Sequence, residues 1–245
     1  MLNNKSFFSN VVLIGSTSDI GISIINNIKL SDNSKIHLIG RKNPRNIRIQ
    51  NPKPEIKFHK CDFTNHNEVS NLLTNLAVFG LPDLVIIAAG YLPEENSEFE
   101  LESLNKIFHT NTISPIMFLA AFAKIMKEND GGKILVCSSV ASIRPRLRNF
   151  SYGASKSALD FYSIGLQNKL SKSNVLILVL RSGFVFTKMT KNFQPALFSI
   201  SLETLTNIAI NGLLRNERVI YAPLKLKLIM NLVRFIPRTL FDKID

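Results

Sequence analysis

Cysteine is scarce in this 245-residue chain: it has two, Cys61 and Cys137, far apart and in no Cys-x-x-Cys pair. Such a pair builds neither a disulfide framework nor a structural zinc site, so no metal is expected, and it suits a reducing, cytoplasmic compartment. Long apolar runs are missing too, and none approaches the roughly 18 residues of a bilayer-spanning helix. Near the N-terminus Lys5 is followed by only a short apolar stretch that ends at Gly15, so no signal peptide is expected. There is no internal repeat and no linker long enough to separate a second domain, so residues 1–245 are read as one. Acid is short in one half. Residues 131–245 hold 17 Lys and Arg against 5 Asp and Glu, while 1–130 hold 13 of each, so the whole net charge of +12 lies in the second half. That asymmetry points to an anionic partner: nucleic acid, a membrane surface or a phosphorylated substrate.

What is present is a core-forming pattern, with 45% hydrophobic and 20% charged residues. Short runs rich in Val, Ile and Leu, apolar on both faces, predict buried parallel strands at 10–14, 35–39, 55–59, 83–88, 133–137, 175–180 and 218–221. Amphipathic stretches predict helices at 19–28, 67–76, 101–127, 152–172, 202–214 and 224–235. Strands alternating with helices give βαβ units, hence an α/β fold with a doubly wound parallel sheet of about seven strands and helices on both faces. Residues 41–54 carry five bases, three prolines and no acid, and read as a loop in place of a crossover helix.

The first strand runs into Gly15-Ser16-Thr17-Ser18-Asp19-Ile20-Gly21, which opens a helix. Gly15 permits a tight turn, and the free N–H groups of the helix start suit a pyrophosphate. Gly21 lets the helix lie close on the sheet. Asp19 is equally a helix-capping residue type. No acid follows the second strand to hold a ribose hydroxyl; Gly40-Arg41-Lys42 stands there, and the two bases suit either a 2′-phosphate or plain solvent. Asp62 follows the third strand and is placed to accept from an adenine amine or to cap the next helix.

Tyr152 and Lys156 are four apart in Ser151-Tyr152-Gly153-Ala154-Ser155-Lys156, so one helix face carries both. A neighbouring ammonium is expected to lower a phenol pKa from its usual value near 10, which makes Tyr152 a general acid or base. Ser139 ends the fifth strand, where open α/β sheets bind ligands. Asn111 lies midway in the predicted helix 101–127, where propensity gives it no reason to be, and it is read as a member of a proton relay through Lys156.

Taken together, Gly15–Gly21, Asp62, Asn111, Ser139 and Tyr152-x-x-x-Lys156 resemble the short-chain dehydrogenase/reductase family over nearly the whole chain. The resemblance implies a Rossmann-type sheet and a nicotinamide cofactor, NADPH or NADH. It implies that Ser139 orients a carbonyl, Tyr152 transfers the proton, and Lys156 also holds the nicotinamide ribose. By the same resemblance Thr17, Ser18, Ile20, Arg41, Ala89, Gly90, Gly183 and Val185 line the cofactor, and Thr187 meets its carboxamide. The sequence departs from the family's pattern at Asp19, where a glycine is usual. It departs again at Ile87-Ala88-Ala89-Gly90, which lacks the usual asparagines, and at Ser182, which replaces a proline.

Arg144, Arg146 and Arg148 stand between Ser139 and Tyr152 and suit a phosphate-bearing substrate. The loop after Thr187 mixes Lys188 and Lys191 with Met189, Phe193, Leu197 and Phe198, and reads as a lid over an amphiphilic ligand. Residues 222–245 include an apolar, basic segment that suits a membrane interface or ordinary packing. The first-turn motif, Asn149-Phe150-Ser151-Tyr152-Gly153, Tyr221-Ala222-Pro223 and Ile236-Pro237-Arg238 resemble one branch of the family, the reductases that complete 2-epimerisation of decaprenylphosphoryl ribose for arabinan and cell-wall synthesis. That likeness implies a lipid-linked phosphosugar substrate, a flavoprotein oxidase partner, a homo-oligomer and peripheral contact with a membrane. The alternatives are a general ketone or 3-oxoacyl reductase, or a non-catalytic dinucleotide-binding scaffold. Nucleic acid is not expected, since the basic half has no recognition helix and no stacking series of aromatics.

Overall fold

The computed structural model describes residues 7–44, 46–49, 52–94, 97 and 99–241; Lys5, Arg45 and the tail 242–245 lie outside the described residues. Seven parallel strands form one sheet in the order β3-β2-β1-β4-β5-β6-β7. They are β1 (Phe8–Ile14), β2 (Leu30–Gly40), β3 (Glu55–Lys60), β4 (Leu84–Ile87), β5 (Gly132–Ser139), β6 (Val175–Ser182) and β7 (Val219–Ala222). The chain winds outward from β1 to β3, then returns to lay β4 on the other side of β1 and winds the opposite way. That reversal opens a crevice at the carboxyl ends of β1 and β4, the usual place for a ligand in such sheets. The predicted α/β architecture is therefore the observed one.

Alternation along the strands divides the core into two layers. Val11 and Leu13 of β1 pack with Ile22, Ile24 and Ile25 of helix α1 (Asp19–Asn27) and with Leu205 and Ala209 of α6 (Leu202–Leu214). Val12 and Ile14 face the other way, onto Val69 of α2 (His66–Thr74) and onto Phe118 and Phe122 of α4 (Ser114–Glu128). Each of the buried Val, Leu, Ile and Phe side chains among these contributes roughly 1.5–3 kcal/mol by leaving water. Ser18, Asn65 and Ser201 accept backbone N–H groups at the starts of α1, α2 and α6. These caps fix where each helix begins. The caps also correct two readings: Ser18, not Asp19, caps α1, and Asn65, not Asp62, caps α2.

Two elements depart from the pattern read in the sequence. The strand predicted from residue 35 begins at Leu30, with Asn33 at φ 58° and a register shift against Phe8 and Asn10. The helix predicted over 101–127 is three pieces: α3 (Leu101–Phe108), a π-helical turn at His109–Ile113, and α4. Pro115 supplies the reason. A proline ring conflicts with the carbonyl four residues back, here Asn111, and the wider turn relieves the conflict. The remaining helices are α5 (Phe150–Lys169), α7 (Lys225–Phe235) and the short α8 (Arg238–Phe241).

Candidate active site

At the β1–α1 turn, Gly15 has φ +103°, and a Cβ there would stand 2.7 Å from Ala89 N, so backbone meets backbone. At Gly21 a Cβ would stand 2.5 Å from Leu13 Cδ1, and its absence lets α1 lie on the sheet. These two glycines press the start of α1 against the end of β4 and leave a cavity of about 470 Å³ in front of it. Gly15, Thr17, Ser18, Asp19 and Ile20 line one wall; Arg41 and Asp62 line a second; Ala89, Gly90 and Thr187 line a third. Asp62 Oδ1 accepts from Thr64 N (2.9 Å) and Thr64 Oγ1 (2.8 Å). Burial alone would raise the Asp62 pKa, but these bonds, with Arg41 and Lys106 nearby, hold it below the ordinary carboxylate range. It is thus an anionic acceptor at the cavity's far end.

Asp19 does something the sequence does not suggest. Its Oδ2 accepts from Lys188 N at 2.8 Å, and its Oδ1 meets Lys188 Nζ at 3.1 Å. The residue standing where the resembled family has a glycine therefore ties the loop after β6 to the start of α1, and both partners line the first cavity. Thr187 caps a short turn through Lys188–Thr190, and Thr190 Oγ1 donates back to Val185 O at 2.6 Å. Lys188 lies 169 residues from Asp19, so no local spacing signals this contact.

A second cavity of about 770 Å³ adjoins the first through Ile20, Leu92, Thr187 and Met189. Ser139, Tyr152, Gly183 and Val185 are among its lining residues. Ser139 ends β5, accepts from Ala141 N at 3.2 Å and is in hydrogen-bonding reach of the Tyr152 phenol. Lys156 is buried and donates to Cys137 O at 2.9 Å. A Cβ on Gly90, which lines the first cavity, would stand 3.7 Å from its Nζ, so the buried ammonium lies close behind that glycine. Asn111 accepts from Tyr91 N (2.6 Å) and donates to Tyr91 O (2.9 Å) and Ser155 Oγ (3.0 Å). Its amide thus braces the strand end that lacks the family's asparagines, one residue from Lys156. Ser182 Oγ donates to Ser138 O at 3.4 Å, a bond that the usual proline could not make.

The expected lowering of the phenol pKa is corrected here. Burial pushes Tyr152 up to about 12, with the Ser139 hydrogen bond pulling the other way. Burial also brings Lys156 down to about 8. Its Nζ stands 6.0 Å from the phenol ring centre, and desolvation outweighs an attraction over that distance.

Of the three arginines expected to clamp a phosphate, Arg146 and Arg148 are exposed at the rim of the larger cavity. Arg144 also lines it but is committed elsewhere. Its Nη1 donates to Val233 O and Ile236 O, both at 2.6 Å, and its guanidinium lies 4.2 Å from the Phe241 ring centre. Through that one nitrogen it ties down the C-terminal end of α7, a contact that the clamp reading did not include. Sequence reasoning also missed Asp160, which accepts from Ser138 Oγ (2.7 Å) and from Arg181 Nη2 (2.7 Å) beneath Ser139. The one signal in the sequence is Arg181 itself, a base closing an otherwise apolar strand.

The donor set fits a dinucleotide: amides at the start of α1 for a pyrophosphate, Arg41 and Asp62 in the first cavity, and Tyr152 in the adjoining one, with the buried Lys156 one turn along α5. Among the described residues, no group of three or more His, Cys, Asp or Glu could hold a metal ion.

Comparison with known proteins agrees with this geometry. The pattern described as short chain dehydrogenase matches residues 9–197. An uncharacterized oxidoreductase of Mycobacterium tuberculosis is 30% identical over 183 residues, which covers 74% of this chain and 73% of that protein. One from Streptomyces coelicolor is 25% identical over 240 residues, covering 96% and 95%. In fold, the chain is similar to a short-chain dehydrogenase of Sphingobium yanoikuyae solved in complex with NADPH, at TM-score 0.76 and 19% identity, covering 94% of this chain and 97% of that one.

Proposed function

The chain belongs to the short-chain dehydrogenase family, and from that premise we propose that it is an NAD(P)H-dependent reductase of a keto-sugar linked to a polyprenyl phosphate. The observation that carries the redox assignment is Ser139 and Tyr152 together in the lining of the larger cavity, with Lys156 buried one helical turn along α5 from Tyr152. When bound, the nicotinamide supplies a hydride to the carbonyl carbon. Ser139 holds the carbonyl oxygen by a hydrogen bond. Tyr152 gives its phenolic proton to that oxygen as negative charge gathers there, so ketone, hydride and proton become alcohol. Lys156 holds the ribose and, as an ammonium, stabilises the phenolate left behind. The Asn111 side-chain amide is fully engaged by Tyr91 and Ser155, so its role in a relay would come through its main-chain carbonyl. Arg41 at the groove's end favours the 2′-phosphate of NADPH.

Support for the substrate class comes from the large cavity's rim, where Arg146 and Arg148 stand free for a phosphodiester beside apolar Phe184 and Phe193. In this reading a separate flavoprotein oxidises the sugar's 2-hydroxyl, and this chain reduces the ketone to the epimer. It would work beside a membrane, as a homo-oligomer for which exposed Phe161 and Tyr162 on α5 offer a contact. Among the described residues no helix is long and apolar enough to cross a membrane. A general ketone reductase is the second reading, favoured by the cavity's apolar walls. A coupled assay separates them, using a 2-keto pentosyl phospholipid and a neutral bulky ketone with NADPH and NADH in turn. Arg146→Ala with Arg148→Ala should weaken the phospholipid selectively; an equal loss on both substrates would favour the second reading. Tyr152→Phe should remove turnover on either while cofactor still binds, and retained turnover would overturn the redox assignment.

A further inference from the structure

Helix α7 shows two apolar faces. Leu226 and Met230 are buried, and with partly buried Ile229 and Val233 they pack on Val140 and Tyr221. The opposite face is bare: Leu224 is 65% exposed, Leu228 72%, Leu232 71% and Phe235 82%. At helical spacing these four fall within an arc of about 80°. Lys225 borders that arc on one side, with Asn231, Lys227 and Arg234 on the other, all exposed. No acid occurs from residue 218 to 241, and none of these three bases is ion-paired among the described residues. The inner face already satisfies the core, so packing within the chain does not explain the outer one.

We propose that the outer face of α7 is a docking surface for an anionic lipid bilayer, with Leu224, Leu228, Leu232 and Phe235 entering the interface and Lys225, Lys227 and Arg234 meeting lipid phosphates. Charge decides between occupants. A second copy laid α7 against α7 would bring six like charges around one seam. An anionic interface offers apolar depth and opposite charge together, which is what a bare apolar stripe with a basic border suits. The helix also borders the proposed site. A Cβ on Gly183 would stand 2.5 Å from Leu226 Cδ1, and Arg144 holds the carbonyls of Val233 and Ile236. Gly183 and Arg144 both line the larger cavity, so docking sets its mouth beside the headgroups. This deepens the lipid-linked reading above.

The test is co-sedimentation of the full chain with vesicles of phosphatidylcholine alone and of phosphatidylcholine with phosphatidylglycerol, at low and high salt. Binding is expected to the anionic vesicles and to weaken with salt. Lys225→Ala, Lys227→Ala and Arg234→Ala together should weaken it about a hundredfold, since each base near an anionic surface is worth about a factor of five. Leu228→Glu with Leu232→Glu should remove it. Thermal unfolding and turnover of a small ketone, both expected unchanged in these variants, report the fold and the redox reading separately. Binding that ignores vesicle charge would overturn the proposal. So would no binding at all, or variants that instead convert a dimer to monomers in light scattering.

Discussion

Lys156 gives its ammonium to the main-chain oxygen of Cys137 at 2.9 Å, within the last residues of strand before Ser139. Burial brings this lysine down to about 8, while Tyr152 is pushed up to about 12. The phenol therefore stays protonated, as a proton donor must, throughout the working range. The lysine's charge is what titrates. If the ammonium is needed to accept the developing phenolate, kcat/KM for ketone reduction should be level below pH about 8 and fall above it. Lys156→Arg keeps its charge to much higher pH and should lose that alkaline limb, at a lower plateau. A limb that stays near 8 in the arginine variant would assign it to another group.

The Asp19–Lys188 contact predicts a separation between main chain and side chain. Asp19→Ala removes the acceptor of the Lys188 N–H, a charge-assisted bond worth about 1.5–3 kcal/mol. Exchange of the Lys188 amide hydrogen should then speed roughly 10- to 100-fold. Lys188→Ala keeps the N–H and loses an ammonium that is 78% exposed, so exchange there should hardly change. Equal acceleration in both variants would mean that the ammonium, not the main chain, holds the loop.

How much of this is legible in the sequence depends on the range of each contact. The spacing of Tyr152 and Lys156 is a property of one helix, and the alternation of Val11 to Ile14 is a property of one strand; both read correctly. The π-turn around Asn111 is also written locally, in Pro115, but a helical pattern with one proline near its middle reads as a single helix. The hold of Arg144 on Val233 and Ile236 is invisible in the sequence because those partners lie about ninety residues on, whereas a base between Ser139 and Tyr152 invites only an electrostatic explanation. Tyr152 misleads because spacing reports neighbours and not desolvation, and here desolvation is the larger effect.

Acid should weaken the sheet's edge in a definable window. His37 on β2 is buried, with Nδ1 3.0 Å from His59 Nε2 on β3, and both rings pack near Phe79. Burial lowers His37 to about 4, helped by His59, Lys57 and Lys35 and opposed by Glu55. The folded value lies below the unfolded value of about 6.5, so unfolding takes up a proton between the two. Its contribution is intact above pH about 6.5 and is lost as pH falls toward about 4, a change on the order of 3 kcal/mol. The urea midpoint should drop over that range, and drop less in His37→Leu. A parallel fall in the variant would assign the acid sensitivity to other groups, His59 or carboxylates.

Beneath the proposed site, Asp160 on α5 accepts from Ser138, Ser142 and two nitrogens of Arg181, and Arg181 donates its remaining arm to Tyr221. Side-chain exposure is 8% for Asp160 and 17% for Arg181, so neither charge has water to fall back on. Asp160→Asn leaves the guanidinium buried and unmatched, and should cost about 3–5 kcal/mol in urea unfolding. Arg181→Met should cost a similar amount by stranding the carboxylate. The double variant removes both charges with little change in volume, so its loss should fall well below the sum of the two singles. Losses that simply add would show that the two residues stabilise β5, β6 and α5 independently, each through its other hydrogen bonds, rather than as one pair across them.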